Sequence, residues 1–168
     1  MYQHILVPID GSATSSKGLE EAIRLAKLTG ARLRLVHVID ELSLALAMDA
    51  YSGYVGSWQT ELRASALKLL DAAQAQAAAQ NVTADTVLRD TYQGAVHEQV
   101  LAEAASSQAD LIVIGTHGRR GFGRWVLGSS AEQIARMAPV PVLLIRAPEE
   151  AKAESERFAL PRGTVASQ

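Results

Sequence analysis

The stretch Leu111–Ala135, LIVIGTHGRRGFGRWVLGSSAEQIA, constrains this chain more than any other. It opens with four apolar residues, Leu111-Ile112-Val113-Ile114, and the run stops at Gly115. A short apolar run bounded by turn residues reads as a buried strand of a parallel sheet. Gly118, Gly121, Gly123 and Gly128 follow, and Ser129-Ser130 opens a helical pattern. Ser129 or Ser130 is the expected N-cap, with Glu132 placed to reach back in a capping box. The unit is strand, glycine-rich loop, helix. Its loop lies at the carboxyl end of a strand, where open α/β sheets bind their ligands.

Such a loop suits an anion. Glycines let the backbone approach a phosphate closely, and the free amides of the next helix start favour negative charge. Arg119, Arg120 and Arg124 supply positive charge on this reading and are simply solvated on the plainer one, a flexible connection. The loop is neither GxxxxGK[ST] nor GxGxxG, so the two commonest nucleotide loops are excluded.

The rest of the chain repeats the strand–helix alternation. Ile5–Ile9 reads as a first buried strand ending in the turn Asp10-Gly11-Ser12, with Pro8 tolerable only because it stands at the strand's end. A helix follows from Ser15 or Ser16 to Thr29, with Leu19, Ala22, Ile23 and Ala26 in one stripe and Gly30 at its C′ position. Ala31–Ile39 is the second strand, and His37 within it reads as a packed strand residue. Asp40–Trp58 is irregular and is expected as a variable surface connection or a short helix over the site. Trp58–Gln80 is the longest helix, Val82–Arg89 an edge strand, and Gly94–Ser107 a third helix with His97 near its start. The helix after the glycines runs to about Met137. Pro139–Ile145 closes the series as an edge strand.

Five strands alternating with four helices predict one α/β domain, a parallel sheet covered by helices on both faces. Right-handed crossovers give the order 3-2-1-4-5. The first and fourth strands are then neighbours. Pro8–Ser12 and the Gly115–Ser130 loop meet across that switch point. Residues 1–146 form the domain, and 147–168 is expected to be a mobile tail.

Composition narrows the function classes. Net charge is −2 over 168 residues, which implies no general affinity for nucleic acid or anionic membrane. There is no cysteine, hence no disulfide or thiolate metal site. No signal-peptide pattern or membrane-length apolar run occurs, so a cytoplasmic protein is expected.

Gly115, Gly118, Gly128 and Ser129 follow the spacing G-x2-G-x9-G-[ST]. This resembles the nucleotide-binding signature of the universal stress protein family, in its ATP-binding branch, and the likeness extends over about Met1–Arg146. The resemblance implies ATP, with Mg, contacted by Pro8, Ile9, Asp10, Val38, Ile114, Gly115, Gly118, Gly128, Ser129 and Ser130. It also implies an adenine-nucleotide alpha-hydrolase-like fold and a homodimer through the strand Val140–Ile145, whose apolar edge needs covering. Asp10 fits two roles, a turn residue or a carboxylate for ribose and for phosphate-bound Mg.

Two functions remain in play. One is a nucleotide-dependent regulatory stress-response protein with an unknown protein partner. The alternative is a slow ATPase or nucleotidyl-transfer enzyme of the related adenosine-binding α/β class. No catalytic residue is assigned, because His117 and the loop arginines are the only candidates near the phosphates.

Overall fold

Residues 1–40, 55–90, 94–116 and 128–146 are described by the computed structural model. Within them the apolar runs form the strands β1 (His4–Pro8), β2 (Arg32–Ile39), β3 (Ala84–Asp90), β4 (Leu111–Gly115) and β5 (Val142–Ile145). The helices are α1 (Ala13–Thr29), α2 (Val55–Ala78), α3 (Val96–Ser106) and α4 (Ser129–Met137). All four strand pairings are parallel, in the order β3-β2-β1-β4-β5. This is the expected doubly wound sheet, with β1 and β4 side by side.

Strand alternation divides the core in two. On one face Ile5 and Val7 of β1, Leu33 and Leu35 of β2 and Val113 of β4 pack with Leu19 and Ile23 of α1 and Leu70 of α2. On the other, Leu6, Val36, Ile112 and Ile114 meet Val100 and Ala104 of α3 and Ala131 and Ile134 of α4. Each fully buried Leu or Ile contributes about 1.5–3 kcal/mol relative to an exposed one. Apolar burial on both faces therefore holds the sheet.

One charged cluster crosses the second face. Glu103 of α3 is buried and accepts from Arg34 Nε of β2 at 2.7 Å and from Arg89 Nη2 of β3 at 2.5 Å. Burial alone would raise its carboxyl. The hydrogen bonds and charge of Arg89 and Arg34 together outweigh that and hold it below the ordinary carboxylate range.

Several boundaries differ from expectation, each for a local reason. α1 starts at Ala13, because Ser12 Oγ accepts the Ser15 amide at 3.1 Å and takes the N-cap. Gly30 closes the helix as expected, with φ 75° and its amide on Ala26. α2 begins at Val55, ahead of Trp58. β5 starts only at Val142, after two prolines that cannot donate, although the Pro141 carbonyl still accepts from Ile112. The predicted loop segment 41–54, Gly118, Gly121, Gly123, the loop arginines and His117, and the tail 147–168 lie outside the described residues. No described helix is long and apolar enough to cross a membrane.

Candidate functional site

The sheet opens at the carboxyl ends of β1 and β4, and Pro8 is one reason. The His4 carbonyl accepts from Asp110 at the start of β4, whereas the Ile9 amide donates to Val36 of β2. Alternation along the strand therefore turns Leu6 and Pro8 toward β4. Pairing with β4 is limited to Ile5↔Leu111 and Leu6↔Ile112. Pro8, with no amide hydrogen, stands where the next bond would form. Beyond that point the two strands part.

The turn after β1 is closed by its own side chains. The Asp10 carboxylate accepts the Ser12 amide through Oδ1 at 2.9 Å, and the Asp10 amide donates to Ser15 Oγ at 3.1 Å. Gly11 between them has φ 80°, a left-handed conformation that favours glycine. The turn role of Asp10 is thus present: one of its oxygens organises the turn. Ser12 and Thr14 bring their hydroxyls within 3.1 Å of each other on the first turn of α1.

That first turn lies directly on the end of β4. A Cβ built on Gly115 would stand 2.7 Å from the Thr14 carbonyl carbon. Gly18, one turn further along α1, lies close to the Gly115 amide. The absence of a side chain at Gly115 is therefore used by helix packing, a reason that spacing alone did not reveal. The contact also brings the β1 turn and the start of the glycine loop together, as the switch-point reading expects.

On the far side of the loop, the Gly128 amide donates to the Thr116 carbonyl at 2.8 Å, and the Thr116 amide donates to Ile145 of β5 at 2.8 Å. Gly128 is the N-cap of α4, in place of the expected serines, and among the described residues no side chain caps the helix. Glu132 does not close a capping box either; it turns to Arg136, 3.8 Å away. The first helical bond runs from the Glu132 amide to the Gly128 carbonyl at 2.9 Å. The amides of Ser129, Ser130 and Ala131 therefore precede the intrahelical ladder at the positive end of the helix dipole.

Val38 is half-buried near the end of β2, and Ile114 is buried near the end of β4. His37 is buried, as expected of a packed strand residue, and donates from Nδ1 to the Ile9 carbonyl at 2.5 Å, the tautomer that a carbonyl partner requires. No group of three or more His, Asp or Glu suited to a metal occurs among the described residues. An open groove lined by Asp71, Gln74, Asn81 and Thr83 lies at the amino end of β3, the end of a parallel sheet that does not bind ligands. Of the ten expected contacts, nine lie in described residues at the carboxyl side of β1, β2 and β4 or at the start of α4. Gly118 lies outside them.

The universal stress protein family model matches residues 1–146. The chain belongs to the universal stress protein family. It is 30% identical over 151 residues to universal stress protein YxiE of Bacillus subtilis, covering 87% of this chain and 100% of that one. A universal stress protein structure from Burkholderia pseudomallei is 35% identical, with TM-score 0.69, covering 87% of this chain and 97% of that one. A further structure, the universal stress protein from Archaeoglobus fulgidus in complex with dAMP, has TM-score 0.63 at 22% identity, covering 86% and 98%. The last likeness is one of fold. The universal stress protein core thus spans the whole described part of this chain.

Proposed function

We propose that this universal stress protein binds ATP with Mg across the β1–β4 switch point and acts as a dimeric, cytoplasmic, nucleotide-dependent regulator. The observation that carries the reading is the uncapped start of α4. Three successive amides there, Ser129 to Ala131, precede the helical ladder, and no side chain among the described residues caps them. The serine hydroxyls beside them add donors for phosphate oxygens. On this reading Pro8, Ile9, Asp10 and Val38 contact the nucleoside, and Ile114, Gly115, Gly118, Gly128, Ser129 and Ser130 contact the phosphates. The dAMP complex of the Archaeoglobus relative supports an adenine nucleotide in this fold.

The metal enters with the phosphates. Asp10 is the one carboxylate of the β1 turn, and only its Oδ1 is committed, so Oδ2 is suited to a phosphate-bound Mg. The proposal is one of binding, with at most slow hydrolysis. Nucleotide occupancy would bias a surface that a protein partner reads.

The dimer belongs to the same proposal. β5 is the sheet's last strand, and its Leu143 and Leu144 are 36% and 37% exposed. An apolar edge of this kind is covered by the same strand of a second copy in a closed twofold pair.

Denaturing freshly purified protein and identifying what is released tests the site. Release of adenine nucleotide in near-stoichiometric amount is expected. Protein that carries none and cannot be loaded with ATP would refute it.

A further inference from the structure

The end of β2 leaves a backbone edge unused, and one side chain accounts for it. In a parallel ladder a residue that donates to one partner accepts from the residue two further on. The Ile9 amide donates to Val36 at 2.8 Å, so the ordinary next step is Val38 donating to the Ile9 carbonyl. That step is not taken. Pairing between β1 and β2 ends at Pro8↔Val36, and the Ile9 carbonyl receives the His37 ring instead, at 2.5 Å. On its other side Val38 is held by pairing with Arg89 of β3. Its β1-facing amide and carbonyl are therefore presented by a fixed strand, with no ladder partner among the described residues.

We infer that His37 is the positioning residue of the nucleoside side: by taking the Ile9 carbonyl it stops β1 and β2 zipping, and leaves the Val38 edge open to a purine base. This rests on the nucleotide reading above. One amide donor and one carbonyl acceptor on a rigid strand match the paired acceptor and donor that a 6-aminopurine offers on its edge. Replacing the ring by an apolar one leaves the buried Ile9 carbonyl without its donor, and the Val38 amide is the nearest replacement. The strands then pair one step further and the slot closes.

The test uses the full chain, with His37→Phe removing the donor and His37→Asn keeping one at the same branch position. His37→Leu replaces Phe should that variant fail to fold. Amide exchange by NMR reads the slot without any ligand. The Val38 amide should exchange at least tenfold more slowly in the Phe variant than in wild type, and at the wild-type rate in the Asn variant. Calorimetry reads the base. The Phe variant should lose about tenfold in affinity for ATP and nothing for inorganic tripolyphosphate, which has no base, and Asn should restore ATP binding. Unchanged exchange at Val38 overturns the inference. So does a Phe variant that binds ATP normally, or one that loses ATP and tripolyphosphate alike, which is a general structural defect. Wild-type protein that binds neither ligand refutes the nucleotide reading and the base slot with it, while the exchange arm still reports what His37 does to the ladder.

Discussion

Gly115 at the end of β4 sits so close to Thr14 of α1 that a Cβ on it would meet the Thr14 carbonyl carbon at 2.7 Å and Cβ at 2.9 Å. Backbone lies there, so no flexible side chain can yield. Gly115→Ala must push α1 off the sheet, and overpacking of this kind costs about 1–3 kcal/mol. Urea denaturation should record that loss. Unchanged stability would mean that α1 is held less closely than described.

Glu103 makes the fold sensitive to acid. Its folded carboxyl lies below the ordinary value, so its contribution is complete above the unfolded value and is lost as pH falls through the folded one. Glu103→Gln leaves the partly exposed Arg34 and Arg89 without their anion and should cost about 1–3 kcal/mol at neutral pH. Urea midpoints followed downward from pH 6 should converge for wild type and variant in acid. A constant gap across that range would show that the ion pairs are not the source.

The β5 edge gives a prediction about assembly. Leu144→Asp places a charge on the exposed half of the strand, whereas Val142 packs against the α3–α4 core and would report folding as well. Sedimentation should find wild-type dimers and Leu144→Asp monomers of similar melting temperature. A wild-type monomer at all concentrations would end the twofold proposal.

Much of this architecture is written locally. The uniformly apolar run Leu111–Ile114 is buried throughout, as a central parallel strand requires, and the less apolar β3 lies at an edge. What local pattern could not reveal depends on contacts across the sheet. One difference is local: Ser12, Ser15 and Ser16 are all good caps, and the bond from the Ser15 amide to Ser12 Oγ selects the first. Gly128 displaces Ser129 and Ser130 as N-cap because Thr116, just beyond β4, holds its amide. His37 is indeed packed, but its bond to Ile9 is visible only once the register of β1 on β2 is known. The Gly115–Thr14 contact joins residues that no spacing rule connects.

Asp10 can be divided into its two roles. Asp10→Asn keeps an oxygen for the Ser12 amide and removes the charge, so the turn and the melting temperature should survive. ATP binding by that variant should no longer depend on Mg, and should weaken less than in Gly118→Val, where a β-branched residue blocks the backbone's approach to phosphate. Full Mg dependence in the Asn variant would assign Asp10 to the turn alone.

Calorimetric titration of ATP and Mg into the wild-type protein addresses the central claim most directly. Saturable binding of one nucleotide per chain is expected, abolished in Gly118→Val while the sheet remains folded. Absence of saturable heat up to millimolar ATP, or a Gly118→Val variant that binds as tightly as wild type, would contradict it.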